Sequence, residues 1–575
     1  MLKLLRTLKA FKFQVALVFL FVFLQTLSDL YLPKLMSHII DKGVVTGDKD
    51  YIWRIGGIML LVAAGGLVCT VLVSFLSAKV SAGFGRNTRK QVFTHVENFS
   101  LQEFDKIGTA SLITRTTNDI TQVQNVLVMM LRMMIWAPFM AIGGIFMAVN
   151  QDAELSWVFV GVIPVIALLI FGIMKKGVPF FKAMQVKLDR LNQVVREQLM
   201  GIRVIRSFNR SDFEKKRFNK ANLDLTDTAV KVNRIMAFMM PAMMLIMNVA
   251  IVAIVWFGSI RIDNMAMDLG DLMAFIQYAM QIMMALVMVS FMFVLVPRAS
   301  VSAVRINEVL DMKPVIKNSI NTKLANQQRG MVEFKDVTFS YPGAEIPALS
   351  HISFIAKQGQ TTAIIGGTGS GKTTMLSLIP RFYDITGGSI LVDGIDIREQ
   401  SQESLREKIG YVPQKAVLFS GTIADNIRYG KENATDEEIR HAAEIAQATD
   451  FILVKEEGYE SQISQGGTNV SGGQKQRLSI ARALVRKPEI YLFDDSFSAL
   501  DLKTDAKLRA ALKGETTDST VIIVAQRVST VMNADQIIVL EDGEISGIGT
   551  HKDLLKNSEV YREIVSSQMS EEESA

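Results

Sequence analysis

Apolar residues gather in six long runs before residue 300, at roughly 13–40, 51–77, 126–149, 155–174, 235–259 and 271–296. A helix needs ~20 apolar residues to cross a bilayer, so each run is long enough to span one. The first run, from Phe13 to Leu32, exceeds the ~7–15 residues of a signal-peptide core. It leads into Tyr31-Leu-Pro-Lys34 rather than a small-residue cleavage site, and reads as a retained spanning helix. Between the runs, Gly43–Asp50, Asn150–Glu154 and Arg261–Gly270 are short, whereas Ala78–Asn125 and Lys175–Arg234 are long and basic. From Pro179 to Arg234 there is no further proline and one glycine, Gly201. A structureless loop of that length is unusual. The pattern therefore predicts spanning helices that continue ~45 Å beyond the bilayer over ~30 residues, each pair joined by a short turn.

After residue 330 the period changes. Met331 to Phe339 alternates apolar and polar and predicts an edge strand, whereas Thr362–Ile365 and Glu489–Phe493 are continuous apolar runs typical of strands buried on both faces. The expected organisation is a spanning domain over 1–312, a polar linker over 313–330, a soluble α/β domain over 331–568 and an acidic, solvated tail over 569–575.

Composition sharpens this division. Hydrophobic residues make up 49 % of the chain and mean hydropathy is +0.26, which excludes an ordinary soluble protein. The net charge of +5 gives no reason to expect a nucleic-acid partner. The segment Lys175–Arg234 carries 15 Lys or Arg, and Lys3, Arg6, Lys9 and Lys12 precede the first run. Basic flanks stay on the cytoplasmic side, so both termini and both long connections are expected there. Leu4, Leu5, Leu8 and Phe11 would share one helical face, fitting either an interfacial helix or a charged flank that sets topology. The single Cys69 excludes an intrachain disulfide and is expected to be a small buried residue. Fourteen methionines lie between Met236 and Met292, readable as helix packing or as an adaptable surface for greasy ligands. Asp29, Arg132 and Gln277 fall within or near the runs, where charged or polar groups line cavities or pair between helices.

The chemistry sits in the soluble half. Gly366-Gly-Thr-Gly-Ser-Gly-Lys-Thr373 fits G-x-x-x-x-G-K-[ST] between a predicted strand and a helix beginning at Thr374. Backbone N–H groups of Gly366, Gly367, Thr368, Gly369, Ser370, Gly371 and Thr374 would close around phosphate oxygens at a helix N-terminus. Lys372 would hold the β- and γ-phosphates of ATP, and Thr373 would ligate Mg²⁺ together with Asp494 at the end of the downstream apolar strand.

With these motifs the chain resembles a half-transporter of the ATP-binding-cassette exporter family. The resemblance covers nearly its whole length. Val470-Ser-Gly-Gly-Gln-Lys-Gln-Arg477 is similar to the family signature, with Val in place of Leu. It implies that Ser471, Gly472, Gly473 and Gln474 touch ATP held by a partner chain. Tyr341 matches the aromatic that stacks on adenine, Gln414 the loop glutamine that touches Mg²⁺, and Asp501 the loop crossing to the partner. Phe104–Asp119 and Gly201–Arg210 are similar to the two cytoplasmic turn regions that dock on nucleotide domains. The implied fold is an all-α six-helix transmembrane domain with long cytoplasmic extensions, then an α/β P-loop nucleotide-binding domain with a helical subdomain.

Two positions depart from the family. Asp495 stands where a water-activating glutamate is expected, and Gln526 where a histidine is expected. Aspartate is shorter by about one carbon–carbon bond, ~1.5 Å, and misplacement by ~1 Å costs ~10²-fold in rate. Glutamine can hydrogen-bond a phosphate but carries no charge and shuttles no proton. The pattern resembles the degenerate-site subunit of bacterial heterodimeric exporters, which implies a second half-transporter chain carrying the competent site. The expected substrate is a hydrophobic or amphipathic small molecule, a drug or a lipid, moved out of the cytoplasm or inner leaflet of the plasma membrane. A homodimer with slow turnover and a nucleotide-gated membrane protein remain the alternatives. No peptidase segment precedes the first run, which argues against a leader-trimming exporter.

Overall fold

The computed structural model describes residues 2–317 and 329–568. Most of the expected linker and all of the acidic tail lie outside them. The chain forms two compact units, one of Met1–Glu97 and Ala110–Met312, the other of Asn98–Thr109 and Lys313–Ala575.

The first unit is helical. Its long helices run Lys12–Ile39, Lys49–Glu97, Trp157–Met200, Ser211–Asp263 and Leu269–Asp311, and a helical stretch over Thr109–Gln151 supplies the third span. All six contain windows apolar enough to cross a membrane. Apolar side chains such as Leu60, Leu61, Leu168, Phe171 and Trp256 point outward, as expected of a surface solvated by lipid. Inward, Phe159 stacks on Phe275 at 5.2 Å, and the buried Tyr278 hydroxyl donates to the Leu30 carbonyl at 3.0 Å. The helices extend well past the apolar runs because their polar continuations keep good helix formers, and Pro179 and Pro297 are accommodated inside the helices Trp157–Met200 and Leu269–Asp311. Gly201, the one glycine noted in the second long connection, separates the fourth helix from a short helix, Ile202–Ser207.

Three details differ from expectation. The N-terminal segment is a helical turn, Leu2–Leu5, followed by a 3₁₀ segment, Arg6–Phe11, so no continuous amphipathic α-helix presents one apolar face. Leu4 is buried instead. Cys69 is only half-buried, because it sits on a helix whose flanking residues Leu67, Val68 and Val71 are exposed. The third span is interrupted by two π-helical segments, Arg115–Asp119 and Met130–Met134.

In the second unit, two main sheets carry the site. β1 (Val332–Phe339), β2 (Leu349–Ala356), β4 (Gly387–Val392) and β5 (Ile395–Asp396) form an antiparallel sheet in the order β2-β1-β4-β5. β1 is therefore internal, not the edge strand expected; alternation reports one buried face and says nothing about neighbours. The six-stranded sheet also uses β3 (Thr361–Gly366), β6 (Ile409–Val412), β9 (Ile490–Asp494), β10 (Thr520–Val524), β11 (Gln536–Glu541) and β12 (Glu544–Gly549). Its order is β12-β11-β3-β10-β9-β6, parallel except for β11–β12. Between β7 (Gly421–Thr422) and β8 (Gln462–Ile463), a short antiparallel pair, lie helices including Asp436–Ile445, the helical subdomain.

Candidate nucleotide site

β3 and β9 flank β10 in the parallel sheet, so the loops leaving their C-terminal ends converge. The loop after β3 is Gly367–Gly371, followed by helix Lys372–Leu378. Gly369 and Gly371 adopt φ of +86° and +96°, which L side chains rarely reach. A Cβ on Gly366 would lie 2.1 Å from the Leu540 carbonyl oxygen, so that position excludes any side chain. Lys372 donates to the carbonyls of Gly366 at 2.9 Å and Gly367 at 2.6 Å, and its burial pushes its pKa down. The Thr373 hydroxyl donates to Asp494 Oδ1 at 2.9 Å. Burial raises the Asp494 carboxyl pKa above the usual range. A hydroxyl beside a buried carboxylate, with an ammonium next to them, is the donor set that Mg²⁺ and a polyphosphate require.

Asp495 follows β9 with φ +45° and is buried. Its Oδ2 accepts two amide hydrogen bonds, from Gln526 Nε2 at 3.0 Å and Gln414 Nε2 at 3.2 Å. The structure thus brings together Lys372, Thr373, Asp494, Asp495, Gln414 and Gln526. Tyr341 joins them through its hydroxyl, 3.0 Å from Thr374 Oγ1, with its ring one-third exposed.

The signature residues form a separate group. Ser471 is the N-cap of helix Gly472–Leu484: its Oγ accepts from Gln474 N, while Gln474 Oε1 accepts from Ser471 N at 2.9 Å. Among the described residues these bonds stay within the cap, so Ser471 and Gln474 make no hydrogen bond to their own phosphate loop. A Cβ on Gly472 would meet nothing within 4 Å, which leaves that face open. Asp501 caps helix Leu502–Glu515 by accepting from Thr504 N at 3.0 Å, and these backbone bonds hold its carboxyl below the usual pKa.

Residues that the sequence did not flag connect this site to the first cytoplasmic turn. Helix Leu101–Ile107 belongs to the same unit as the nucleotide domain. Tyr383 packs edge-on against Tyr341, with centroids 5.5 Å apart, and its hydroxyl donates to Asp105 at 2.9 Å. Burial, with Asp105 second, pushes the Tyr383 phenol well up. Buried Glu103 accepts from Ser100 N at 2.6 Å and from Val315 N at 3.1 Å, tying the turn helix to the segment entering the nucleotide domain.

Comparison with known proteins agrees with this geometry. Residues 15–286 match the model for the ABC transporter transmembrane region, and residues 349–498 match that for the ABC transporter domain. An uncharacterized ABC transporter ATP-binding protein of Mycobacterium tuberculosis is 43 % identical over 96 % of this chain and 96 % of its own. An ATP-dependent lipid A-core flippase of Vibrio parahaemolyticus is 32 % identical over 94 % and 93 %. A bacterial Atm1-family ABC exporter with ATP bound superposes with a TM-score of 0.82 at 26 % identity, covering 97 % of this chain and 99 % of the other. The chain belongs to the ABC transporter family. It is a multi-pass membrane half-transporter of the exporter type with a cytoplasmic nucleotide-binding domain, and its family's activity is ATP hydrolysis, with Mg²⁺, coupled to transport.

Proposed function

We propose that this chain is the catalytically impaired member of a pair of half-transporters that export hydrophobic or amphipathic compounds. The observation that carries this is the state of Asp495. The carboxylate that should take a proton from the attacking water is a methylene short, and one of its oxygens already accepts two amide hydrogens. Gln526 donates one of its two side-chain N–H groups to Asp495 and brings no charge to a γ-phosphate. The groups expected to bind, Tyr341, Lys372, Thr373 and Asp494, keep the family pattern. The expected chemistry is tight nucleotide binding with slow cleavage.

Two features support a partner. The signature cap of Ser471–Gln474 makes no hydrogen bond to its own phosphate loop and keeps an open glycine face, as needed by a group that completes a site on a second chain. At the second cytoplasmic turn, Met200, Val204 and Phe208 are exposed although they lie beyond the apolar runs. Exposed apolar groups in water mark a docking surface.

The test is ATPase activity in lipid of this chain paired with a half-transporter carrying Glu and His at the corresponding positions. Changing the partner's glutamate to glutamine should abolish turnover, whereas Asp495→Asn here should change it by less than roughly threefold. The reverse dependence would refute the assignment.

A further inference from the structure

The first unit contains a cavity of about 600 Å³ whose wall comes from the first, second, third and sixth spanning helices. Its one charged lining residue is Arg132. Among the described residues Arg132 has no ion pair, and its side chain is exposed. A guanidinium at membrane depth is costly unless an anion meets it. Two amide side chains, Gln25 and Asn125, line the same space and add hydrogen-bond donors. Thr70 and Ser74 add two hydroxyls, and the remaining wall is apolar and soft, with Met129, Met133 and Met288 beside the Trp136 ring.

The backbone is specialised here. Met130–Met134 is π-helical, with Arg132 at its centre. A π-turn inserts an extra residue into a helix and is frequent at functional sites. The indole N–H of Trp136 is buried, with the carboxyl of Asp29 as its polar neighbour. Asp29 does not line the cavity and forms no ion pair with Arg132, so it does not neutralise the guanidinium.

We propose that this cavity binds an amphipathic anion, with its phosphate, sulfate or carboxylate head on Arg132 and its apolar body against Met129, Met133 and Trp136. The proposal deepens the exporter reading and rests on it for transport, though not for binding. A water-borne organic anion and the headgroup of an anionic lipid share this chemistry.

The test uses the full chain in phosphatidylcholine nanodiscs with Trp53, Trp157 and Trp256 changed to Phe, so that Trp136 alone reports. Quenching by 12-bromododecyl phosphate should require roughly tenfold less probe than quenching by the matched trimethylammonium. Arg132→Ala should erase that preference, Arg132→Lys should keep most of it, and Arg132→Glu should reverse it. The neutral 12-bromododecanol checks that each variant retains the cavity. A charge-blind wild type, or a preference untouched by Arg132→Ala and Arg132→Glu, overturns the proposal. With 20 % phosphatidylglycerol in the disc, competition against the phosphate probe assigns the head to a lipid, and its absence to a water-borne anion; both require the Arg132 dependence. ATP-driven flux of the probes in vesicles that hold this chain together with a half-transporter carrying the competent site separates the two readings: charge-blind flux sinks the anion site alone, whereas anion-selective binding without flux sinks the exporter reading alone.

Discussion

On the proposed reading, Asp495 lets the site keep its binding power while losing its chemistry. Its φ of +45° lies in a region that aspartate tolerates better than most residues, which lets it end β9 and turn sharply towards Gln526. Both departures from the family act on one reacting centre, so their repair should be non-additive. Gln526→His alone removes one amide from Asp495 but leaves a short carboxylate. Asp495→Glu alone lengthens the carboxylate but leaves Gln526 without a charge. Each single change should raise turnover by less than about tenfold, and the pair by ~10²-fold, measured as steady-state ATPase in lipid. Lys372→Ala should instead weaken nucleotide binding by at least roughly tenfold, because the ammonium buried beside Asp494 and Asp495 is the cation meant for phosphate. The candidate binding residues were legible in the sequence because most lie in short contiguous patterns. The joint hold of Gln414 and Gln526 on Asp495 was not, since the donors lie 81 and 31 residues away.

Among the elements, the turn helix Leu101–Ile107 has the most to say. Its capping box, Ser100 with Glu103, satisfies its first N–H groups, and the same Glu103 accepts from Val315. Removing this buried acceptor with Glu103→Ala should cost about 1–3 kcal/mol locally. Hydrogen exchange should speed up at Leu101–Ile107 and at Val315 while the β3 and β9 amides stay protected. Tyr383 links the same helix to Tyr341, the proposed adenine contact, through its ring contact. Tyr383→Phe keeps the ring and loses the bond to Asp105, so ATP affinity should hold within roughly twofold while substrate stimulation of ATPase falls. Equal stimulation in both proteins would remove Tyr383 from the coupling. The sequence placed this turn by resemblance but gave no sign of Tyr383, whose partner lies 278 residues away. β1 was misplaced for a related reason: periodicity records which face is buried, not how many strands flank it.

Across the whole molecule, six apolar runs and one phosphate loop were enough to define a membrane half and an ATP half. The cavity around Arg132 was not readable, because its wall combines four helices and a π-turn that no periodicity announces. The methionine-rich segment proved mixed. Met267 and Met283 are buried in the helical core, Met240, Met244 and Met284 point outward, and only Met288 of the group lines the cavity. The proposed function requires that this chain's own site bind ATP without cleaving it. The most direct test is to measure ATP affinity and ATPase turnover of the purified chain alone in lipid, beside the Asp495→Glu, Gln526→His double variant. Equal affinity, near-background turnover for the natural chain and turnover ~10²-fold higher for the double variant are expected. Turnover of the natural chain matching that of the double variant would show that Asp495 suffices as the base and would contradict the central claim.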